Sequence, residues 1–129
     1  MPSEIQWLAW SILLGVAQLF IAASLMTGQR GLAWNASARD GDPPPLTGVA
    51  ARADRALRNF LETFPFFAAA VLAVVATGSA DSGTAVGALI YFCARLLYVP
   101  LYLAGVPYLR SLVWAVSLLG MLTVLWGLF

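Results

Sequence analysis

Four apolar runs divide the chain, and each is long enough to be read as one membrane-crossing helix. The first, IQWLAWSILLGVAQLFIAASLM, fills residues 5–26 and carries no charge. The second, residues 56–77, opens on ALRNFLETF and then turns fully apolar. The third and fourth fill residues 83–103 and 111–129. About 20 apolar residues at 1.5 Å per residue cross a hydrocarbon core of roughly 30 Å. The pattern therefore predicts an all-α, integral membrane four-helix bundle, with residues 1–129 as a single four-span domain. A signal peptide would need a basic segment ahead of its apolar core. Here Glu4 precedes the first run and no basic residue does, so the run is read as a retained span.

The connections are unequal. Residues 27–55 are rich in Gly, Pro and Asp, which predicts a long loop with turns. GSADS, residues 78–82, reads as a tight polar turn, and AGVPY, residues 104–108, is as short, with Pro107 suited to the first turn of the next helix. Short loops make consecutive spans antiparallel neighbours.

Composition agrees. The chain is 61% hydrophobic and 10% charged, against about a quarter charged in soluble domains, and its mean hydropathy is +0.85. A net charge of +1 gives no overall field for nucleic acid. All seven basic residues are arginine, and histidine is absent. Haem ligation through histidine, histidine metal sites and Ser-His-Asp triads are thereby excluded, and no metal site is expected. The single Cys93 lies in an apolar run and is expected to pack as a small hydrophobe.

The arginines orient the chain. Arg30, Arg39, Arg52, Arg55 and Arg110 lie in or beside the first and third connections, while the opposite side has Glu4 and Asp81 and no basic residue. The positive-inside rule places both connections in the cytoplasm and both termini outside. The use of arginine without lysine reads as a GC-rich bacterial gene, hence a bacterial inner membrane.

Three ionisable residues fall within the spans: Arg58, Glu62 and Arg95. Such groups are costly in a bilayer and mark functional sites by default. Arg55, Asn59 and Glu62 are spaced i, i+4, i+7, on one helical face, and Pro65 follows, freeing the Leu61 carbonyl and bending the helix. On the third span Tyr91, Arg95, Tyr98 and Tyr102 form a second polar stripe. Arg95 stays charged and needs an acceptor, and Glu62 is the one carboxylate at comparable depth. One reading makes Arg95, Glu62 and Asn59 a buried network that locks helices together. The other starts from the surplus: Arg55, Arg58 and Arg110 lack intramembrane acids, and Tyr98, Tyr102 and Ser111 add hydroxyls. Excess cations and hydroxyls near the cytoplasmic surface attract an anionic small molecule.

RADRALRNFLETFPFF, residues 52–67, resembles the second-span motif of the MAPEG proteins, the membrane-associated proteins in eicosanoid and glutathione metabolism, through Arg55-Ala56, Asn59, Glu62 and Pro65. ARLLYVPLYLAGVPYLRS, residues 94–111, resembles that family's third span and following loop through Arg95, Tyr98, Tyr102 and Arg110. The resemblance covers nearly the whole chain. It implies a homotrimer that binds glutathione as cosubstrate in clefts between subunits open to the cytosol. By it, Arg55, Arg58, Asn59, Glu62, Arg95, Tyr98 and Tyr102 line the glutathione site, and Arg110 and Ser111 hold the thiolate. A hydrophobic electrophile or lipid hydroperoxide would enter from the membrane lipid. Leu57, Thr63 and Trp114 depart from the eicosanoid-synthase branches and put eicosanoid chemistry in doubt.

The reading is thus a glutathione transferase or peroxidase, with two alternatives. One is a non-catalytic relative that binds another anionic metabolite or scaffolds partners. The other is a small multidrug transporter, which would place its glutamate in span one, away from arginines; Glu62 is instead crowded by them.

Overall fold

The computed structural model describes residues 1–129 as an all-helical chain: α1 (Ser3–Arg30), a one-turn α2 (Leu32–Ala36), α3 (Gly48–Ala76), α4 (Ser82–Leu103) and α5 (Leu109–Trp126). Four of these, α1, α3, α4 and α5, are long and apolar enough to cross a membrane. Helices α3 and α4 form the middle of the bundle. Helix α1 packs against both, α5 packs against both from elsewhere, and α1 and α5 do not meet.

The tightest seam is α4 on α5. A methyl group built on Gly120 would lie 2.7 Å from the Gly87 carbonyl oxygen and 2.7 Å from the Tyr91 nitrogen. The two glycines let the backbones touch, as small residues do between membrane helices. Beside this seam, toward the α3–α4 turn, Leu8, Phe67, Val71, Val74, Tyr91, Met121 and Val124 make the main apolar core, with the Phe67 and Tyr91 rings stacked at 3.9 Å. Thr63 and Tyr91 pair their hydroxyls at 3.1 Å inside it. Toward the other end, Ala56, Ala94, Tyr98 and Val113 form a smaller cluster.

Hydrogen bonding explains the helix ends. Asp81 accepts from the Thr84 amide, and the Thr84 hydroxyl accepts from the Asp81 amide, a reciprocal cap that starts α4 after the GSADS turn. Helix α3 opens at Gly48, well before the apolar span that begins near Ala56, so the whole charged stretch from Arg52 is helical. Its entry is clasped to the end of α1. Gln29 donates to the Thr47 carbonyl at 2.8 Å and accepts from the Thr47 amide at 3.1 Å. Between these points Trp34 lies under Arg30 and Arg39, with guanidinium carbons 5.0 and 5.5 Å from the ring centroid, and Arg39 is held to Asn35.

Three local expectations change. Pro107 does not enter α5. Its carbonyl accepts from Leu109 at 2.6 Å across Tyr108, which adopts φ 58°, ψ −57°, a strained three-residue turn. Cys93 is exposed rather than packed. It lies about 200° around α4 from the buried Tyr91 at 100° per residue, on the opposite face. Glu4, read as a terminal charge outside the first span, is the second residue of α1 and is buried, accepting from the Thr84 hydroxyl at 2.9 Å. Helix α1 buries Glu4, Ser11 and Gln18 at heptad spacing among Leu8, Leu14 and Ala22.

Candidate functional site

The end of the bundle that carries the α1–α3 connection and the α4–α5 turn concentrates arginine. Arg52 and Arg55 project from the first turns of α3, Arg110 from the first turn of α5, and Tyr102 from the last turn of α4. With Gly105, Val106 and Pro107 they line a cavity of about 280 Å³. No carboxylate lines it.

The geometry is held by contacts to Tyr102 and to a helix end. Arg55 Nε donates to the Tyr102 hydroxyl at 3.2 Å. The Arg55 and Arg110 guanidinium carbons sit 5.9 and 4.6 Å from the Tyr102 ring centroid. Such contacts position cations without neutralising them. Arg52 Nε donates to the Leu103 carbonyl at 2.8 Å, one of the carbonyls that a helix leaves free at its C-terminus. That bond ties α3 to the end of α4 and leaves the other guanidinium nitrogens for the cavity. Three cations with no acid among them make a site for an anion with more than one acceptor oxygen.

Deeper in the bundle lies a second group. Arg95 is 1% exposed. Its Nη1 donates to Asn59 Oδ1 at 2.9 Å, and it stacks on Tyr98 at 4.3 Å and on Phe60 at 5.6 Å. Its Nε and Nη2 have no hydrogen-bond acceptor in the protein. Tyr98 in turn lies 5.5 Å from Tyr102, ring to ring, so the inner group adjoins the outer pocket.

The nine residues singled out by sequence are therefore not one wall. Arg55, Tyr102 and Arg110 meet in the pocket. Asn59, Arg95 and Tyr98 form the inner network. Arg58, Glu62 and Ser111 join neither. Arg58 pairs with Asp54 at 3.1 Å on the exposed side of α3. Glu62 is exposed and makes no hydrogen bond or ion pair, so the expected Arg95–Glu62 contact is absent. The reason is rotation about the helix axis: Arg95 faces the interior of α4, while Glu62 faces outward from α3, and Asn59, one turn earlier, reaches inward instead. Ser111 is exposed at the start of α5.

Arg52 is the residue that sequence reasoning passed over. At the outer end of α3 it counted only toward the orientation of the chain, and its i, i+3 spacing to Arg55 was the signal that the two share a flank. A larger cavity of about 850 Å³ lies between the end of α1 and the loop, but Asp40 and Asp42 line it together with Arg30, so its charge is mixed. No group of His, Cys, Asp or Glu is placed to hold a metal ion.

Comparison with curated proteins returns no match. The model of the MAPEG family, by contrast, matches residues 7–129, a stretch that holds α1 from Trp7 onward, the other three long helices, the arginine pocket and the inner network. The chain belongs to the MAPEG family and is an integral membrane protein of the class associated with glutathione and eicosanoid metabolism.

Proposed function

We propose that this protein binds glutathione at the arginine pocket and is a glutathione transferase or peroxidase for hydrophobic electrophiles or lipid hydroperoxides. The observation that carries the reading is the convergence of Arg52, Arg55 and Arg110 on one acid-free cavity. Glutathione has two carboxylates, an ammonium and a thiol. Arginines match the carboxylates with paired hydrogen bonds. A guanidinium beside the thiol favours the thiolate, and Arg110, with the Ser111 hydroxyl as a further donor, is the residue assigned to it. The thiolate sulfur then attacks an electrophilic carbon, and the leaving group departs with its electron pair. With a hydroperoxide, the sulfur takes the terminal oxygen and the alkoxide leaves as the alcohol once protonated. A second glutathione then gives the disulfide and water.

A cavity of about 280 Å³ is at the small end for a ligand of this size. Glu62 and Ser111 stand on open flanks, and a carboxylate facing lipid at this depth is costly. A homotrimer would resolve both points, since a neighbouring subunit would close the cleft and bring Glu62 to the glutathione ammonium. With the arginine-bearing loops in the cytoplasm of a bacterium, the cleft faces cytosolic glutathione and the membrane supplies the second substrate.

The test is equilibrium binding of glutathione to the purified protein, with Arg110→Ala and Glu62→Ala beside it. Absence of binding at millimolar glutathione would refute the proposal. A thiolate absorbance band that Arg110→Ala abolishes supports catalysis. Binding without that band supports the second reading, a non-catalytic member that holds an anionic metabolite. That reading is favoured by the engagement of Arg110 with the Tyr102 ring.

A further inference from the structure

Gln18 is 3% exposed, midway along α1, and both its amide nitrogen and its amide oxygen lack a hydrogen-bond partner within the protein. A buried primary amide with neither end satisfied is expensive, because it has given up water and received nothing. Gln18 borders a partly open void of about 10 Å³, whose other walls are Ile21 of α1, Ala53 and Ala56 of α3, and Val99 and Leu103 of α4. That volume is about the least that admits one water molecule. The other walls are apolar side chains, so Gln18 supplies the polar contacts.

One water suffices for both ends of the amide. A primary amide carries a carbonyl oxygen and an N–H on the same edge. A single water accepts from that N–H through its oxygen and donates one hydrogen to the carbonyl, closing a small ring of two hydrogen bonds. We propose that Gln18 holds one structural water between α1, α3 and α4, which satisfies the buried amide in place of a partner from either facing helix. The placement gives it a role. Ala53 and Ala56 form the inner side of the α3 turns that carry Arg52 and Arg55 outward. Leu103 both walls the void and accepts from Arg52 through its carbonyl. The water seat thus backs the arginine pocket, and the small alanines leave the room that it needs.

The proposal is tested on the whole protein, without glutathione, by two measurements. The first is an experimental structure at a resolution that shows ordered waters elsewhere in the chain. A peak within hydrogen-bonding distance of both Gln18 amide atoms is expected. A void without density, or an amide turned to a protein partner, overturns the proposal. The second is the unfolding midpoint in detergent of Gln18→Leu, which is close in size and lacks the amide. A hydrated, satisfied amide predicts a midpoint that changes little in the leucine variant and loss of the density peak. A dry, unpartnered amide predicts a higher midpoint, and that result also overturns the proposal. Gln18→Glu, as the neutral acid, keeps one donor and one acceptor on that edge, and retention of the peak in that variant supports the assignment even if Gln18→Leu fails to fold.

Discussion

Replacing Asn59 with alanine removes the one protein acceptor that Arg95 has, and the structure sets the size of the effect. The bond is 2.9 Å long and joins a charged donor to a neutral acceptor, an interaction worth about 1.5–3 kcal/mol net. The guanidinium would stay buried, since Arg95 is 1% exposed. Its stacking on Tyr98 at 4.3 Å and Phe60 at 5.6 Å would survive, each contact worth roughly 0.5–2 kcal/mol. The loss should therefore fall below the ~3–5 kcal/mol of a broken buried ion pair. We expect about 2–3 kcal/mol of destabilisation for Asn59→Ala. Arg95→Met keeps much of the volume and removes the charge. In that background Asn59→Ala should cost far less, giving a coupling of roughly 1.5 kcal/mol or more in a double-mutant cycle. The assay is denaturant unfolding in detergent micelles without glutathione, which separates this network from any ligand. A coupling below about 0.5 kcal/mol would refute the reasoning, because Arg95 would then have to be finding its acceptors elsewhere.

Other changes follow from single contacts. Gly120→Ala forces a methyl group within 2.7 Å of the Gly87 carbonyl and the Tyr91 nitrogen, so it should cost about 1–3 kcal/mol through overpacking, read as a lower unfolding midpoint. Arg58→Ala breaks an exposed pair with Asp54 and should change stability by less than about 0.5 kcal/mol, an effect that shrinks further in high salt. Tyr108→Gly relieves a φ of 58°. Strain of ~1–3 kcal/mol set against the ~0.5–1 kcal/mol flexibility of glycine predicts unchanged or slightly raised stability. A marked loss in the same unfolding assay would mean that the ring itself makes stabilising contacts.

The four spans were legible because hydropathy over about 20 residues is a property of the chain alone. So was the meeting of Arg55, Tyr102 and Arg110, since all three stand at helix ends on the side of the bundle where the arginines gather. The pairing of Arg95 was not legible from depth. Distance along the axis places Glu62 and Arg95 at comparable levels, but rotation decides contact, and rotation is set by which face each helix buries. Cys93 shows that this could have been used: the Tyr91, Arg95 and Tyr98 stripe defines the inner face of α4, and Cys93 falls opposite it. Gln18 and Glu4 share the heptad spacing of the buried face of α1 with Ser11. Charge within the span does not show that pattern; polarity along one face does. Arg52 was missed because its main bond is to a carbonyl at the end of α4, a partner that side-chain patterns do not reveal.

The clasp of Gln29 on Thr47 has a consequence for how this protein can be changed. Its two hydrogen bonds fix the exit of α1 to the entry of α3, so the path between residues 30 and 46 is a closed excursion with both feet set. Lengthening such an excursion costs only about 0.6 kcal/mol per doubling. Extra residues near Gly41 should therefore leave the helices and the arginine pocket in register, which makes this segment the place to insert an epitope or a reporter.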